Sequence, residues 1–374
     1  MQRRGIGVAV IGGGYMGKAH AVALRAVPAV FETALVPRLV TVAASSRTSA
    51  QRYADAYGFE RAADDWQAAV ADDDVEAIVI ASPQHTHRAI AEAAFARGLH
   101  VLCEKPLGAS LDDAEAIAAA ARRAGTSHAM GFNYIRTPAT QHARELIDAG
   151  TIGDVTWFRG EHSEDFLADP DLPATWRTTD RANGTMGDLA PHMIQCAQGL
   201  HRPIVSVSAQ VETVHKERPD GRGGRARVMN DDQAQCMVRF GDGTSGHLFF
   251  SRIATWRKMG YAYEVHGTKG AIRFDQEDQN ALHLYLRDGP GENRGFTRIL
   301  AGPEHPDYLP FCQGPGHGTG YQDQIIIEHA HWLEAIAAGT PSWPNIEDGL
   351  SVARVVDACH RSGDSGQWES VNRD

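Results

Sequence analysis

The chain opens on an alternation of apolar positions that gives way to a helical repeat. Ile6, Val8 and Val10 alternate within an apolar run ending at Ile11, the pattern of a buried strand. Gly12, Gly14 and Gly17 follow in the spacing G-x-G-x-x-G, and a helical repeat covers Tyr15 to Val27. Pro28 to Arg38 predicts a loop. Strands are predicted at Leu39–Ala44, Val75–Ala81, His100–Cys103 and Thr126–Gly131. Between them lie helical stretches: Thr48–Tyr57 closed by Gly58, a helix ending at Arg97 before Gly98, and one from the cap Ser110 to Arg123 before Gly125. Strand and helix in turn predict a parallel sheet with helices on both faces.

The texture changes after Thr137-Pro138, which reads as the capped start of a helix running to Ala149 and ended by Gly150. Alternating strands are predicted at Val155–His162, Val205–Val214, Asp232–Phe240, Thr244–Ile253, Tyr261–His266, Ala271–Phe274 and Leu282–Leu286. Lys216–Arg227 reads as a mobile basic surface loop and Pro290–Gly320 as irregular chain. Helices are predicted at Gln322–Ala338 and Ile346–His360. The expected fold class is α/β. An N-terminal Rossmann-type, doubly wound parallel sheet occupies residues 1–130. A C-terminal α+β domain with a largely antiparallel open sheet occupies 131–374 and serves substrate binding and oligomerisation. One face of such a sheet can pack on a copy of itself, so a homodimer or homotetramer is expected.

Composition narrows the function classes. The 374 residues are 43% hydrophobic and 22% charged, which suits packed cores. A net charge of −11 without basic runs argues against nucleic acid as a partner. The five cysteines are Cys103, Cys196, Cys236, Cys312 and Cys359. They lie far apart without a C-x-x-C pair, the usage of reduced thiols in a cytoplasmic protein. Arg3-Arg4 before an apolar run imitates a twin-arginine signal, but that run is the first strand of the fold. No apolar run reaches 18 residues, so no membrane span is expected.

The chemistry gathers at the carboxyl ends of the predicted parallel strands, where ligands bind in such sheets. Gly12 permits the tight turn, Gly14 lets a pyrophosphate approach the backbone, and Gly17 lets helix and strand pack closely. The phosphates would meet the unpaired N–H groups of the helix start. The acid that normally ends the second strand and binds the ribose is missing. Ser45, Ser46 and Arg47 stand there, suited to a 2′-phosphate or to the ribose and adenine, so NAD or NADP is expected, one per chain. Lys105, between Glu104 and Pro106, reads either as a donor to a reacting hydroxyl or as a surface lysine paired with Glu104. His85 and His87, like His329 and His331, are two apart with no further ligand at metal spacing, so no metal is expected. Asp188 and His192 are four apart at a helix start, an oriented base or a cap and a packed histidine. Trp176-Arg177 and the run Glu161-His162-Ser163-Glu164-Asp165 suit a polyhydroxylated ligand.

Taken together, these residues resemble the glucose–fructose oxidoreductase, inositol dehydrogenase and rhizopine-catabolism family, written Gfo/Idh/MocA. The resemblance rests on the Gly12 motif, Ser82-Pro83 with His87, Glu104-Lys105-Pro106, Trp176-Arg177 and the Asp188…His192 pair. It implies a nicotinamide dinucleotide held by Gly12, Gly14, Tyr15, Met16, Gly17, Ser45, Ser46, Arg47, Ser82, Pro83, His87, Glu104 and Lys105, with Trp176 and Arg177 near the nicotinamide. It implies a sugar or cyclic polyol met by Lys105, Asn133, Glu161, His162, Asp188 and His192, with Lys105, Asp188 and His192 catalytic. The lysine and the aspartate–histidine pair would meet across one cleft. Gln84, Ala190-Pro191 and the absent acid depart from the family pattern. The expected activity is hydride transfer between a sugar or polyol hydroxyl and the cofactor. Two alternatives are a glycoside hydrolase working by transient oxidation and a cofactor-binding sensor without catalysis.

Overall fold

A computed structural model describes residues 3–311 and 314–372; Cys312 lies outside the described residues. The first stretch runs β1 (Arg4–Ile11), α1 (Tyr15–Val30), β2 (Leu35–Ala43), α2 (Arg47–Tyr57), β3 (Arg61–Ala63), α3 (Trp66–Ala71), β4 (Ala77–Ile80), α4 (His87–Ala96), β5 (His100–Glu104), α5 (Leu111–Ala124) and β6 (His128–Gly131). The second begins with α6 (Pro138–Asp148), β7 (Val155–Ser163), α7 (Trp176–Thr179), α8 (Thr185–Asp188), α9 (Ala190–Leu200), β8 (Ile204–Glu212), β9 (Glu217–Pro219) and β10 (Arg225–Arg227). It continues through β11 (Gln233–Phe240), β12 (Ser245–Ser251), β13 (Gly260–Gly267), β14 (Gly270–Asp275), β15 (Ala281–Leu286) and β16 (Thr297–Leu300). The chain closes with α10 (Tyr321–Ala338), α11 (Ile346–Ser365) and β17 (Glu369–Ser370).

Contacts divide the chain into two units: Met1–Arg136 with Gly320–Leu350, and Thr137–Thr319 with Ser351–Asp374. Residues 320–350, placed by sequence with the C-terminal domain, thus pack with the N-terminal one. Ile325, Ile327 and Leu333 of α10 are fully buried, and α10 lies along α1. The helix needs an apolar partner for that face, and α1 supplies it.

In the first unit six strands lie in the order β3-β2-β1-β4-β5-β6, every pair parallel. This doubly wound order reverses between β1 and β4, which sets the ligand crevice at their carboxyl ends. The central strands bury their apolar residues: Val8, Ile78, Val79, Val101 and Leu102 are fully buried. Two boundaries differ from the pattern. The first helix continues through Pro28 to Val30, since a proline near the helix end removes only one terminal bond. The second strand starts at Leu35 rather than Leu39. Its early part, including Pro37, pairs only with β1, because β3 covers Thr41–Ala43 alone; a strand edge tolerates the missing N–H.

In the second unit nine strands run β16-β15-β14-β13-β7-β12-β11-β8-β17. All pairs are antiparallel except β7 with β12. Along β11 Ala234, Cys236, Val238 and Phe240 are buried while Gln235, Met237 and Arg239 face outward, so one face packs and the other stays open. The expected loop at Lys216–Arg227 is instead a short hairpin of β9 and β10. Asp220 closes its turn by accepting the N–H groups of Arg222 (2.7 Å) and Gly224 (2.9 Å). Arg218 is fully buried and donates to the carbonyls of Asp169 (2.7 Å) and Leu167 (2.6 Å). A sequence reading that counts charge as solvated misses such a guanidinium, because carbonyl oxygens replace its water. The irregular stretch Pro290–Gly320 also contains a strand, β16, added to the sheet edge.

The described cysteines Cys103, Cys196, Cys236 and Cys359 are buried and free; burial pushes the Cys196 thiol up to about 12. No described helix is long and apolar enough to cross a membrane.

Candidate active site

In the glycine turn after β1 the backbone leaves no room for a side chain at two of the three motif residues and leaves the third open. Gly12 sits at φ +135°, and a Cβ there would stand 2.3 Å from the Ala81 carbonyl oxygen. A Cβ on Gly17 would lie 1.8 Å from the Gly12 oxygen, so helix and turn touch backbone to backbone. A Cβ on Gly14 would meet nothing within 4 Å, and no side chain caps α1. The first N–H groups of α1 therefore face an open cradle, the donor set a pyrophosphate requires. Tyr15 beside it is 72% exposed, and the Met16 sulfur lies 3.4 Å from the Tyr321 hydroxyl.

The cofactor candidates Ser45, Ser46, Arg47, Ser82, Pro83 and His87 follow strands of the same sheet. Ser46 caps α2, its hydroxyl oxygen accepting the Ser49 N–H at 3.2 Å, while Ser45 and Arg47 are exposed. After β4 the hydroxyls of Ser82 and Thr86 are 2.6 Å apart, and Thr86 donates to the Pro83 carbonyl at 2.7 Å. His87 is buried. Its Nε2 lies 2.8 Å from the Ser82 carbonyl oxygen and its Nδ1 3.0 Å from that of Pro106. It joins the end of β4 to the turn carrying Lys105. Burial holds its pKa below the usual range, and a neutral ring donates to only one of the two carbonyls.

Lys105 follows β5 directly. Its N–H donates to Glu104 Oε2 at 3.1 Å, and Glu104 Oε1 is 3.0 Å from His20 Nε2. Asn133 is buried and donates to Gln324 Oε1 at 2.9 Å.

In the second unit Asp188 and His192 sit on two consecutive helical pieces broken at Leu189, with Pro191 in the first turn of α9, where its missing N–H costs little. Arg177 donates to Asp188 Oδ2 at 2.9 Å. Its guanidinium lies 4.4 Å from the Trp176 ring centre and 5.6 Å from that of Phe166. Trp176 itself is 60% exposed. His192 is buried, its Nδ1 included. The His162 ring packs 5.6 Å from the His192 ring and its Nδ1 is 2.9 Å from the Leu189 carbonyl oxygen.

Glu161 and His162 are neighbours on β7 and point to opposite faces of the sheet. His162 faces His192. Glu161 lies on the open face, where Arg257 donates to it at 2.7 Å and also pairs with Asp275 and Glu277. The structure therefore does not bring Glu161 to the side that carries His192.

A further group escaped the sequence reading. Arg252 is buried and donates to Asp232 Oδ1 (3.0 Å), Asn230 Oδ1 (2.6 Å) and the carbonyls of Arg177 (2.9 Å) and Asn183 (3.1 Å). Asn230 donates to the carbonyls of Arg177 and Asp180, and Asp231 accepts the Met186 N–H at 2.7 Å. These side chains fix the segment that carries Trp176, Arg177 and Asp188. The visible signal was Asn230-Asp231-Asp232, a polar run directly ahead of an alternating strand. Among the described residues no group of three His, Cys, Asp or Glu side chains could hold a metal ion.

Residues 6–132 match the oxidoreductase family with an NAD-binding Rossmann fold, and residues 140–273 match the GFO/IDH/MocA C-terminal domain. Levoglucosan dehydrogenase of Pseudarthrobacter phenanthrenivorans is 34% identical over 98% of both chains. Inositol 2-dehydrogenase of Rhizobium meliloti is 29% identical over 94% of this chain and 95% of its own. The solved structure of levoglucosan dehydrogenase in complex with NADH and levoglucosan superposes with a TM-score of 0.95 at 34% identity, covering 99% of this chain and 100% of that one.

Proposed function

Since the chain belongs to the GFO/IDH/MocA family of NAD-binding oxidoreductases, we propose that it oxidises a ring hydroxyl of a neutral sugar, with an anhydropyranose of the levoglucosan type as its substrate. In this scheme the glycine turn and the start of α1 hold the pyrophosphate, and Ser45 and Arg47 face the adenosine. NAD supplies the hydride acceptor when bound. Lys105 Nζ donates to the reacting hydroxyl and lowers its pKa, His192 Nε2 takes the proton, and Asp188 orients the substrate side of α9.

The observation that carries the choice of a neutral substrate is the Arg177–Asp188 pair. That guanidinium is already spent on a carboxylate and two aromatic faces, so it offers no charge to a phosphate. Trp176 beside it presents an exposed aromatic face of the kind that packs on sugar C–H surfaces. A panel of levoglucosan, glucose, myo-inositol and glucose 6-phosphate, each with NAD and NADP, tests this by following reduced cofactor. Levoglucosan should give the highest kcat/KM; a preference for the phosphate ester would reject the assignment. Sugar release without net NADH would favour the hydrolase, and cofactor binding without any turnover the sensor.

The cradle carries its own expectation. Gly14→Ala adds a methyl to open space, so the fold should keep its Tm while KM for NAD rises about tenfold, the equivalent of 1.4 kcal/mol. Gly17→Ala drives a methyl into the Gly12 carbonyl and should cost about 1–3 kcal/mol of stability. Equal behaviour of the two in thermal melts and NAD titrations would refute these separate roles.

The same proposal includes a homodimer or homotetramer built on the open face of the nine-stranded sheet. Met237, 53% exposed, lies there with the half-buried Trp157 and Phe249. Light scattering that returned a monomer at micromolar concentration would exclude it.

A further inference from the structure

We infer that His20 and His329 are positioning residues for Lys105 and act on it through Glu104. Three buried side chains from three elements form one line. His329 Nε2 on α10 is 2.8 Å from His20 Nδ1 on α1. His20 Nε2 is 3.0 Å from Glu104 Oε1 at the end of β5. Glu104 Oε2 then accepts the Lys105 N–H at 3.1 Å. Both histidines are fully buried and Glu104 nearly so. Gly131 makes room for the carboxylate: a Cβ there would lie 2.8 Å from Glu104 Cδ.

Proton bookkeeping gives the line a direction. With Glu104 ionised, His20 must donate from Nε2, which leaves its Nδ1 as an acceptor for His329 Nε2–H. His329 Nδ1, buried and without a hydrogen-bond partner, is then a bare lone pair. The reverse order would require either a protonated Glu104 or a His20 carrying both ring protons, and in either case would strand a buried N–H on His329, the rarer and costlier defect. Burial, with His20 alongside, holds the His329 pKa well below the usual range, so its ring is neutral as the first assignment needs. Glu328, beside it on α10, is pushed well above the carboxylate range by burial and by the charge of Glu104. In the first assignment the Glu104 carboxylate is thus oriented by a chain of two imidazoles.

Without His20's N–H, Glu104 Oε1 would be a buried charge lacking its donor. The carboxylate would rotate or take a proton, and the Lys105 amide would lose its acceptor. The line thus ties the helix behind the glycine turn to the peptide that carries the lysine. In the sequence His329 lacks metal-ligand spacing and falls on one side of its helix with Ile325, Trp332, Leu333 and Ile336, and His20 carries no signal of its own.

This role rests on Lys105 being the lysine of the reaction proposed above, so the test has one readout that needs no turnover. His329→Leu removes the donor, while His329→Gln keeps an amide N–H of similar reach. In His329→Leu, exchange of the Lys105 amide read by NMR should quicken about tenfold or more. With NAD and levoglucosan, its kcat should fall about 10–100-fold, the loss typical of outer-shell partners, with KM for NAD within about twofold. His329→Gln should stay within about threefold of the parent in both readouts. Unchanged exchange in His329→Leu, or an equal loss in both variants, would overturn the role. Turnover absent already in the parent would fault the activity proposal alone, and the exchange comparison would still decide this one.

Discussion

Alanine at His192 is expected to lower kcat by about 10²–10⁴-fold, the range of a positioned proton acceptor. KM for NAD should stay near the parent value, because no cofactor candidate lies on α9. Lys105→Ala should fall as far. Lys105→Arg should recover little, since a planar guanidinium cannot stand in for a point ammonium at a hydroxyl. The double variant should lose less than the product of the single losses, as groups acting on one proton transfer do. Steady-state NADH formation from levoglucosan measures all four. A His192→Ala enzyme within about threefold of the parent would remove the histidine from the reaction. The two residues belong to different units of the chain, so this coupling is also a functional test of their joint action.

Arg252→Met is expected to cost about 3–5 kcal/mol of stability, the loss on removing one partner of a buried ion pair. Arg252 and Asp232 are both essentially without solvent exposure. Asp232 Oδ2 also accepts the N–H groups of Val214 (2.9 Å) and His215 (2.8 Å), so the carboxylate cannot simply turn to water. Asp232→Asn in the Arg252→Met background should restore part of the loss, because it removes the stranded charge. Urea unfolding gives both numbers. A loss below about 1 kcal/mol would show that the pair is compensated locally. Activity should fall as well, since Arg252 holds the carbonyls of Arg177 and Asn183 and hence the segment around Asp188.

Local signals were legible where one residue answers to its neighbours. Ser110 accepts the Asp113 N–H at 3.2 Å as its cap, Gly58 and Gly125 end their helices in the left-handed region, and Gly12 and Gly17 of the motif leave no room for a Cβ. Signals failed where distant groups compensate. Thr137 starts α6, yet its hydroxyl makes no cap. Arg218 reads as surface charge, and Arg252 carries no mark within its predicted strand, because their acceptors come from other segments. Glu161 read as a ligand group because a polar run hides which of two neighbours faces which side of a strand.

By itself, then, the order of apolar and polar positions determined two sheets of opposite character and the glycine turn, while the motif residues carried the resemblance to the family. The sheets and the turn follow from periodicity and from steric limits within a few residues. Tertiary structure alone decided the destination of α10, the burial of two arginines, and the line from His329 to Lys105. Each of those depends on groups tens to hundreds of positions apart that exchange water for one another, and no local pattern records such an exchange.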